Sequence, residues 1–182
     1  MKLTEKTLSS QQVYKGVLLD IYRDEVELPD GTKSVREYNK HPGAVCVVPI
    51  TKDNKVLMVK QFRYPTKEVM LEIPAGKLEK GETPLENCKR ELLEETGATG
   101  YSYITLGSYI GLCAYSDEVV HMYMCRVEDN FCQQNLDSDE FINVEIMDFD
   151  KVVEMVLNNQ IPDGKTQTAI LKAKYLLDSG KI

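Results

Sequence analysis

The stretch that most constrains this chain is Gly76–Ala98, GKLEKGETPLENCKRELLEETGA, because it specifies one helix with both ends marked. Thr83 suits the N-cap, Pro84 the first helical position, and Glu86 stands where a capping box needs it. Gly97 suits the left-handed residue just past the last turn. At about 100° per residue, Leu85, Cys88, Leu92 and Thr96 form one stripe that faces a core. Glu91, Glu94 and Glu95 gather on an adjoining face, where like charges cost about a few tenths of a kcal/mol per pair. They also lie toward the helix C-terminus, where the macrodipole disfavours anions. A hard divalent cation relieves this crowding, and Mg²⁺ and Mn²⁺ favour carboxylate oxygens. A solvated acidic face, partly neutralised by Lys89 and Arg90, is the alternative reading of the helix alone. Cys88 reads as a core residue, and neither histidine has a partner at zinc-ligand spacing.

Around this helix the chain alternates strand-like and helix-like segments. Residues 1–40 hold seven basic and seven acidic side chains, so the whole net charge of −7 falls in 41–182. Val26 and Leu28 alternate with charged residues, Pro29-Asp30-Gly31 supplies turn chemistry, and 33–38 resumes the pattern, which predicts a β-hairpin. The charge mixture suits a solvated or partner-facing sheet. From His41 the character changes. Strands are expected at 44–50, 55–61, 69–73, 101–110, 119–125 and 141–147. Helices are expected near 83–96, 149–159 and 165–178, the last with Ile170, Leu171, Ala173, Lys174 and Leu177 on one face. The expected fold is a mixed α/β sandwich, with an N-terminal β region at 1–40 and a main domain at 41–182.

Composition narrows the function classes. Apolar residues make up 42% and charged residues 28%, which is globular rather than disordered usage. The longest apolar run, Ala44–Ile50, is interrupted by Pro49 and far short of a membrane span, and the N-terminus shows no apolar leader. Five cysteines without a CxxC pair read as reduced thiols, hence a cytoplasmic expectation. An acidic chain lacks the footprint of a duplex binder, so neither nucleic acid nor membrane is expected as partner. A small anionic substrate stays open, because a metal ion can reverse the local charge.

The helical segment resembles the Nudix box, G-x5-E-x7-R-E-U-x-E-E-x-G-U, with Gly76, Glu82, Arg90, Glu91, Leu92, Glu94, Glu95 and Gly97 in register. Ala98 departs from the bulky aliphatic at the last position, which predicts weaker packing after the helix. Val59–Arg63, Glu72–Gly76, Asp163–Thr166 and Leu28–Gly31 are similar to the ADP-ribose pyrophosphatase branch, and the likeness extends over about 13–178. It implies a Nudix-type α/β/α sandwich preceded by a small antiparallel sheet. It also implies Mg²⁺-dependent hydrolysis of ADP-ribose to AMP and ribose 5-phosphate, with Mn²⁺ able to substitute. A homodimer is implied as well, in which the N-terminal sheet reaches the partner's site.

By position, the resemblance implies metal ligation by Glu91, Glu95 and the Ala75 carbonyl, with Glu94 and Glu140 as further ligands. Glu94, Glu140 and Arg90 take the catalytic roles, and Gly76, Glu82 and Gly97 the structural ones, Glu82 bracing Arg90 or another box residue. Arg63 is expected on the diphosphate or terminal ribose, and Glu72 on the substrate or a water at the metal. Arg36 is expected at the ligand from the N-terminal sheet, or in a salt bridge with the neighbours of Glu37. Tyr14, Tyr22 and Tyr38 are candidates for an adenine clamp, against a plain packing role. Where relatives carry a Ser-Pro-Gly-Phe-type loop, this chain reads Leu112-Cys113-Ala114-Tyr115, which loosens the expectation of ADP-ribose as the preferred substrate. The alternatives are another nucleoside diphosphate sugar such as GDP-mannose, and a non-catalytic domain that senses ADP-ribose. The second tends to lose box glutamates, and here all are present.

Overall fold

A computed structural model describes residues 3–180 of the chain. It resolves into two compact units, the first made of the chain up to Gly43 together with Ile110–Val119, the second of Ala44–Tyr109 and the chain from Val120 onward.

The first unit is a three-stranded antiparallel sheet in the order β1 (Lys6–Lys15), β2 (Asp20–Glu27), β3 (Lys33–Lys40). The β2–β3 hairpin closes as its turn chemistry predicts: Gly31, at φ 85°, donates its N–H to the Leu28 carbonyl at 2.9 Å. Strand β1 is an addition to the sequence reading. Its segment, KTLSSQQVYK, is mostly polar and every residue of it is exposed, so no buried periodicity announces it. Backbone pairing with β2 holds it. The segment 110–119 belongs to this unit through the Asn39 N–H, which donates to the Tyr115 carbonyl at 2.7 Å.

The second unit is a seven-stranded mixed sheet between two helical layers. Its strands are β4 (Ala44–Ile50), β5 (Lys55–Arg63), β6 (Glu68–Glu72), β7 (Ala75–Lys77), β8 (Gly100–Tyr109), β9 (Val120–Val127) and β10 (Ile142–Asp148). The main path runs β10-β5-β4-β9-β8, with β6 on β5 and β7 on β4; β4 and β9 are parallel and every other pair is antiparallel. Strand β4 lies at the centre and is apolar on both faces, as a doubly covered strand must be. Val45 and Val47 face one core with Cys88, Leu92 and Ala98 of helix α1 (Pro84–Thr96) and its C-terminal exit. Cys46, Val48 and Ile50 face the other, with α2 (Phe149–Leu157) and α3 (Gly164–Asp178). The chain is thus an α/β/α sandwich preceded by a small antiparallel sheet.

Some local expectations change. The predicted strand 69–73 is β6, and Ile73-Pro74 separates it from the short β7, which the sequence reading did not anticipate. The buried face of α3 is Thr166, Ala169, Ile170 and Ala173. Leu171 is exposed instead, and Lys174 leaves the apolar face to pair with Asp150 and Asp178. Ala98 is fully buried. The chain folds over the helix exit there, and the Cys132 N–H donates to the Gly97 carbonyl at 2.9 Å.

Candidate active site

Helix α1 is held at both ends. Thr83 accepts from the Glu86 N–H while the Glu86 carboxylate accepts from the Thr83 N–H at 2.8 Å, a complete capping box. At the other end Gly97 takes φ 70°, and a Cβ there would stand 2.0 Å from the Cys132 carbonyl oxygen, so the position has room for glycine alone. The helix therefore presents its glutamates in fixed register to β7.

The three glutamates do not share one solvated face. Glu95 is buried, and its Oε2 accepts the Ala75 N–H at 3.0 Å. Burial pushes its carboxyl up to about 8, and the nearby Glu91 and Glu140 push the same way. Glu91 lies against Gly76, where a Cβ would stand 2.0 Å from its carboxyl carbon. Glycine at 76 is what lets the carboxylate approach the strand. Burial pushes Glu91 up to about 7, opposed by Arg90 and reinforced by Glu94 and Glu140. Glu94 is drawn aside by Arg90, whose Nη1 donates to it at 2.7 Å.

Arg90 gathers the acidic groups around it. It meets Glu91 at 3.0 Å, Glu82 at 3.3 Å and Glu79 at 3.6 Å. Burial works against its charge, but the carboxylates outweigh burial and raise its pKa. Glu82 also accepts from Asn87 Nδ2 at 2.8 Å, so it is braced by two helix residues. Glu140 sits on the loop before β10, its N–H bonded to the Asp137 carbonyl at 3.0 Å. As the side chains lie, no three His, Cys, Asp or Glu among the described residues stand at metal-binding spacing. The donor set nonetheless suits a hard cation. A buried and a half-buried carboxylate on one helix, a third close enough to raise both, and the Ala75 backbone are oxygen chemistry throughout.

A second cluster stands at the β5–β6 edge. Arg63 holds Glu72 by a two-pronged pair, Nε to Oε1 and Nη2 to Oε2, both at 2.7 Å. Glu72 is only 2% exposed. Burial drives its carboxyl up, yet Arg63 and Lys165 overcome this and hold it down at about 2. Lys165 bonds the same Oε2 and also Asp163, at 2.9 Å. Lys165 and Asp163 had no site role in the sequence reading. The signals along the chain are the family likeness of Asp163–Thr166 and Asp163 as the N-cap of α3; the pairing of Lys165 with Glu72, 93 residues away, is invisible there.

In the first unit, Arg36 pairs with Glu5, its Nε donating at 2.9 Å, and not with the neighbours of Glu37. Tyr22 and Tyr38 stack on each other with centroids 5.9 Å apart, and Tyr38 donates to Asp24 at 3.4 Å. Tyr14 is exposed. Cys113 is exposed in the 112–116 turn, which closes through Tyr115 and Ser116 N–H bonds to the Leu112 carbonyl.

Known proteins resemble this chain over most of its length. The NUDIX domain model matches residues 40–168, and the model of the nucleoside diphosphate sugar hydrolase N-terminal domain matches residues 5–39. An ADP-ribose pyrophosphatase of Bacillus subtilis is 40% identical over 185 residues, 98% of either chain. A methanol dehydrogenase activator of Bacillus methanolicus is 39% identical over 91% of this chain and 90% of its own. A crystal structure of an ADP compounds hydrolase superposes over 100% of both chains with a TM-score of 0.83 at 18% identity, a likeness of fold.

Proposed function

Because the chain belongs to the Nudix family of hydrolases, we propose that it cleaves the diphosphate bridge of ADP-ribose or a related ADP-sugar, yielding AMP and ribose 5-phosphate from ADP-ribose. Mg²⁺ is the proposed cofactor, with Mn²⁺ able to substitute. The observation that carries this reading is the seating of two carboxylates, the buried Glu95 and the half-buried Glu91, against Ala75 and Gly76 of β7. Like charges brought together away from solvent are costly unless a cation compensates them.

In this reading Glu91, Glu95 and the Ala75 carbonyl hold the cation, with Glu94 and Glu140 as further ligands. When bound, the ion neutralises the diphosphate oxygens and lowers the pKa of an attacking water. Water adds to one phosphorus and its bond to the bridging oxygen breaks; that oxygen leaves on the other phosphate. Glu94 and Glu140 are the carboxylates proposed to take the proton, and Arg90 keeps Glu91 and Glu94 in place. Arg63 offers its remaining guanidinium edge to the diphosphate. Incubation with ADP-ribose, with and without Mg²⁺, followed by product identification, tests the proposal. Parallel incubation with GDP-mannose tests the substrate class. Absence of AMP release from any ADP-sugar in the presence of Mg²⁺ refutes it.

A homodimer built through the N-terminal unit, with Arg36 offered to the ligand, and a cytoplasmic place of action complete the proposal. Support for the dimer comes from the exposed Leu8, Val13, Tyr14, Val17 and Leu18 of that unit. Support for the compartment comes from five unpaired thiols. No helix among the described residues is long and apolar enough to cross a membrane. Light scattering across a concentration series tests the dimer, and a monomer at every concentration refutes it.

A further inference from the structure

The segment Asp163-Gly164-Lys165-Thr166 opens α3 with Asp163 as its N-cap, and Lys165 and Thr166 both reach the chain just before β7. Asp163 Oδ2 accepts from the Thr166 N–H at 2.9 Å and from Lys165 Nζ at 2.9 Å. Gly164 passes the Tyr109 hydroxyl, where a Cβ would stand 2.4 Å from the oxygen. Thr166 Oγ1 accepts the Ile73 N–H at 3.1 Å and donates to Asp163. Lys165 reaches the Glu72 oxygen that Arg63 Nη2 also holds. An ordinary helix start needs only the cap; it does not need a lysine sunk beside a carboxylate that is 2% exposed.

The charge arithmetic shows what the lysine adds. Arg63 and Glu72 alone form a neutral pair, and such a pair offers a phosphate no net attraction. Lys165 restores one positive charge to the group of three. Asp163, 2.9 Å from Lys165, brings the four side chains to zero, and the N-terminus of α3, worth about half a positive charge beside Asp163, leaves the cluster positive where without Lys165 it would be negative. The Nη1 of Arg63 has no protein partner among the described residues, and its side chain is 39% exposed. Glu72 therefore aims the fork, and Lys165 keeps Glu72 from cancelling its charge.

We propose that Lys165 is a positioning residue for substrate binding, acting through Glu72 to orient Arg63 and leave its outer edge electropositive toward the substrate diphosphate. The proposal rests on the reading of the site as an ADP-sugar diphosphatase. It makes no contact between Lys165 and substrate, so the effect runs entirely through Arg63.

The test is a double-mutant cycle on the full chain with ADP-ribose and Mg²⁺, using Arg63→Ala, Lys165→Met and the double variant. Lys165→Met is expected to raise KM about tenfold with kcat within about twofold, the pattern of lost ground-state and transition-state binding alike. In the Arg63→Ala background the same substitution is expected to change KM by less than about twofold, because the group it acts through is gone. Lys165→Arg, which keeps the cation, is expected to recover most of the KM. Lys165→Gln keeps a donor to Glu72 without the charge, and serves if the Met variant unfolds; the same rise in KM is expected. Equal effects of Lys165→Met with and without Arg63, an unchanged KM, or loss of cooperative unfolding in both neutral variants overturns the proposal. An Arg63→Ala variant with wild-type KM overturns it too. A wild-type protein inert toward every ADP-sugar fails the functional reading instead, and is recognised before any variant is made.

Discussion

Replacing Gly76 with alanine isolates the geometry of the site from the stability of the fold. The added Cβ would stand 2.0, 2.1 and 2.3 Å from the carboxyl carbon and two oxygens of Glu91. Non-bonded heavy atoms need about 3.5 Å, so the carboxylate must retreat by about 1.5 Å. It can do so, because it is the end of a flexible side chain on an intact helix. Gly76 is not among the positive-φ glycines, so alanine fits the backbone, and the smaller entropy of the unfolded chain offsets part of any lost contact. The expected stability change is within about 1 kcal/mol, read as the denaturant midpoint. Function is expected to respond differently. A displacement of about 1 Å at a catalytic group costs about a hundredfold. Divalent-ion affinity, measured by calorimetry with Mn²⁺ and Mg²⁺, and kcat on ADP-ribose are each expected to fall by about that factor. Near-normal affinity and turnover would show that Glu91 does not need its seat on β7. A loss of about 3 kcal/mol or more in stability would show that Gly76 serves the fold rather than the site alone.

Three further outcomes follow from the same contacts. Glu95→Gln is expected to reduce turnover by orders of magnitude without lowering the metal-free melting temperature. Its carboxyl is raised from an ordinary 4.5 to about 8 by burial, so in chelator the wild type loses stability as pH rises from about 4.5 through 8. The variant should flatten that slope, and a slope unchanged by the substitution refutes the assignment. Glu72→Gln leaves Arg63 and Lys165 without their buried counter-charge and is expected to cost about 3 kcal/mol at neutral pH in urea unfolding. The Glu72 carboxyl is held at about 2 against burial, so its contribution is present above about pH 4.5 and fades as pH falls through 2; acid titration of the variant should lack that part of the transition. Thr83→Ala removes one arm of the capping box and is expected to cost about 1 kcal/mol, with kcat unchanged once folded; thermal unfolding and an activity assay at low temperature check both.

What the sequence determined by itself was local in origin. The α1 boundaries follow from Thr83, Pro84, Glu86 and Gly97, whose capping chemistry operates within a few residues of each end. The apolar, Val-rich run of β4 announced a strand; its covering on both faces, which a side-chain period of two with no polar face requires, came with the fold. The box register placed Glu91, Glu94 and Glu95 on one helix. Tertiary structure decided which way each of them turns. Glu95 is buried because the Ala75 N–H comes to meet it, and Glu94 is drawn off because Arg90 is within reach. Strand β1 had no sequence signal because nothing in it is buried; its stability lies in backbone bonds to β2, which side-chain patterns do not record. The link from Lys165 to Glu72 and Arg63 is likewise a product of the fold, since α3 must first pack beside the sheet before the three charges can meet. Hydrogen-bonding and charge pairing act over a few ångströms of space, and only the folded chain makes residues so distant in sequence neighbours at that range.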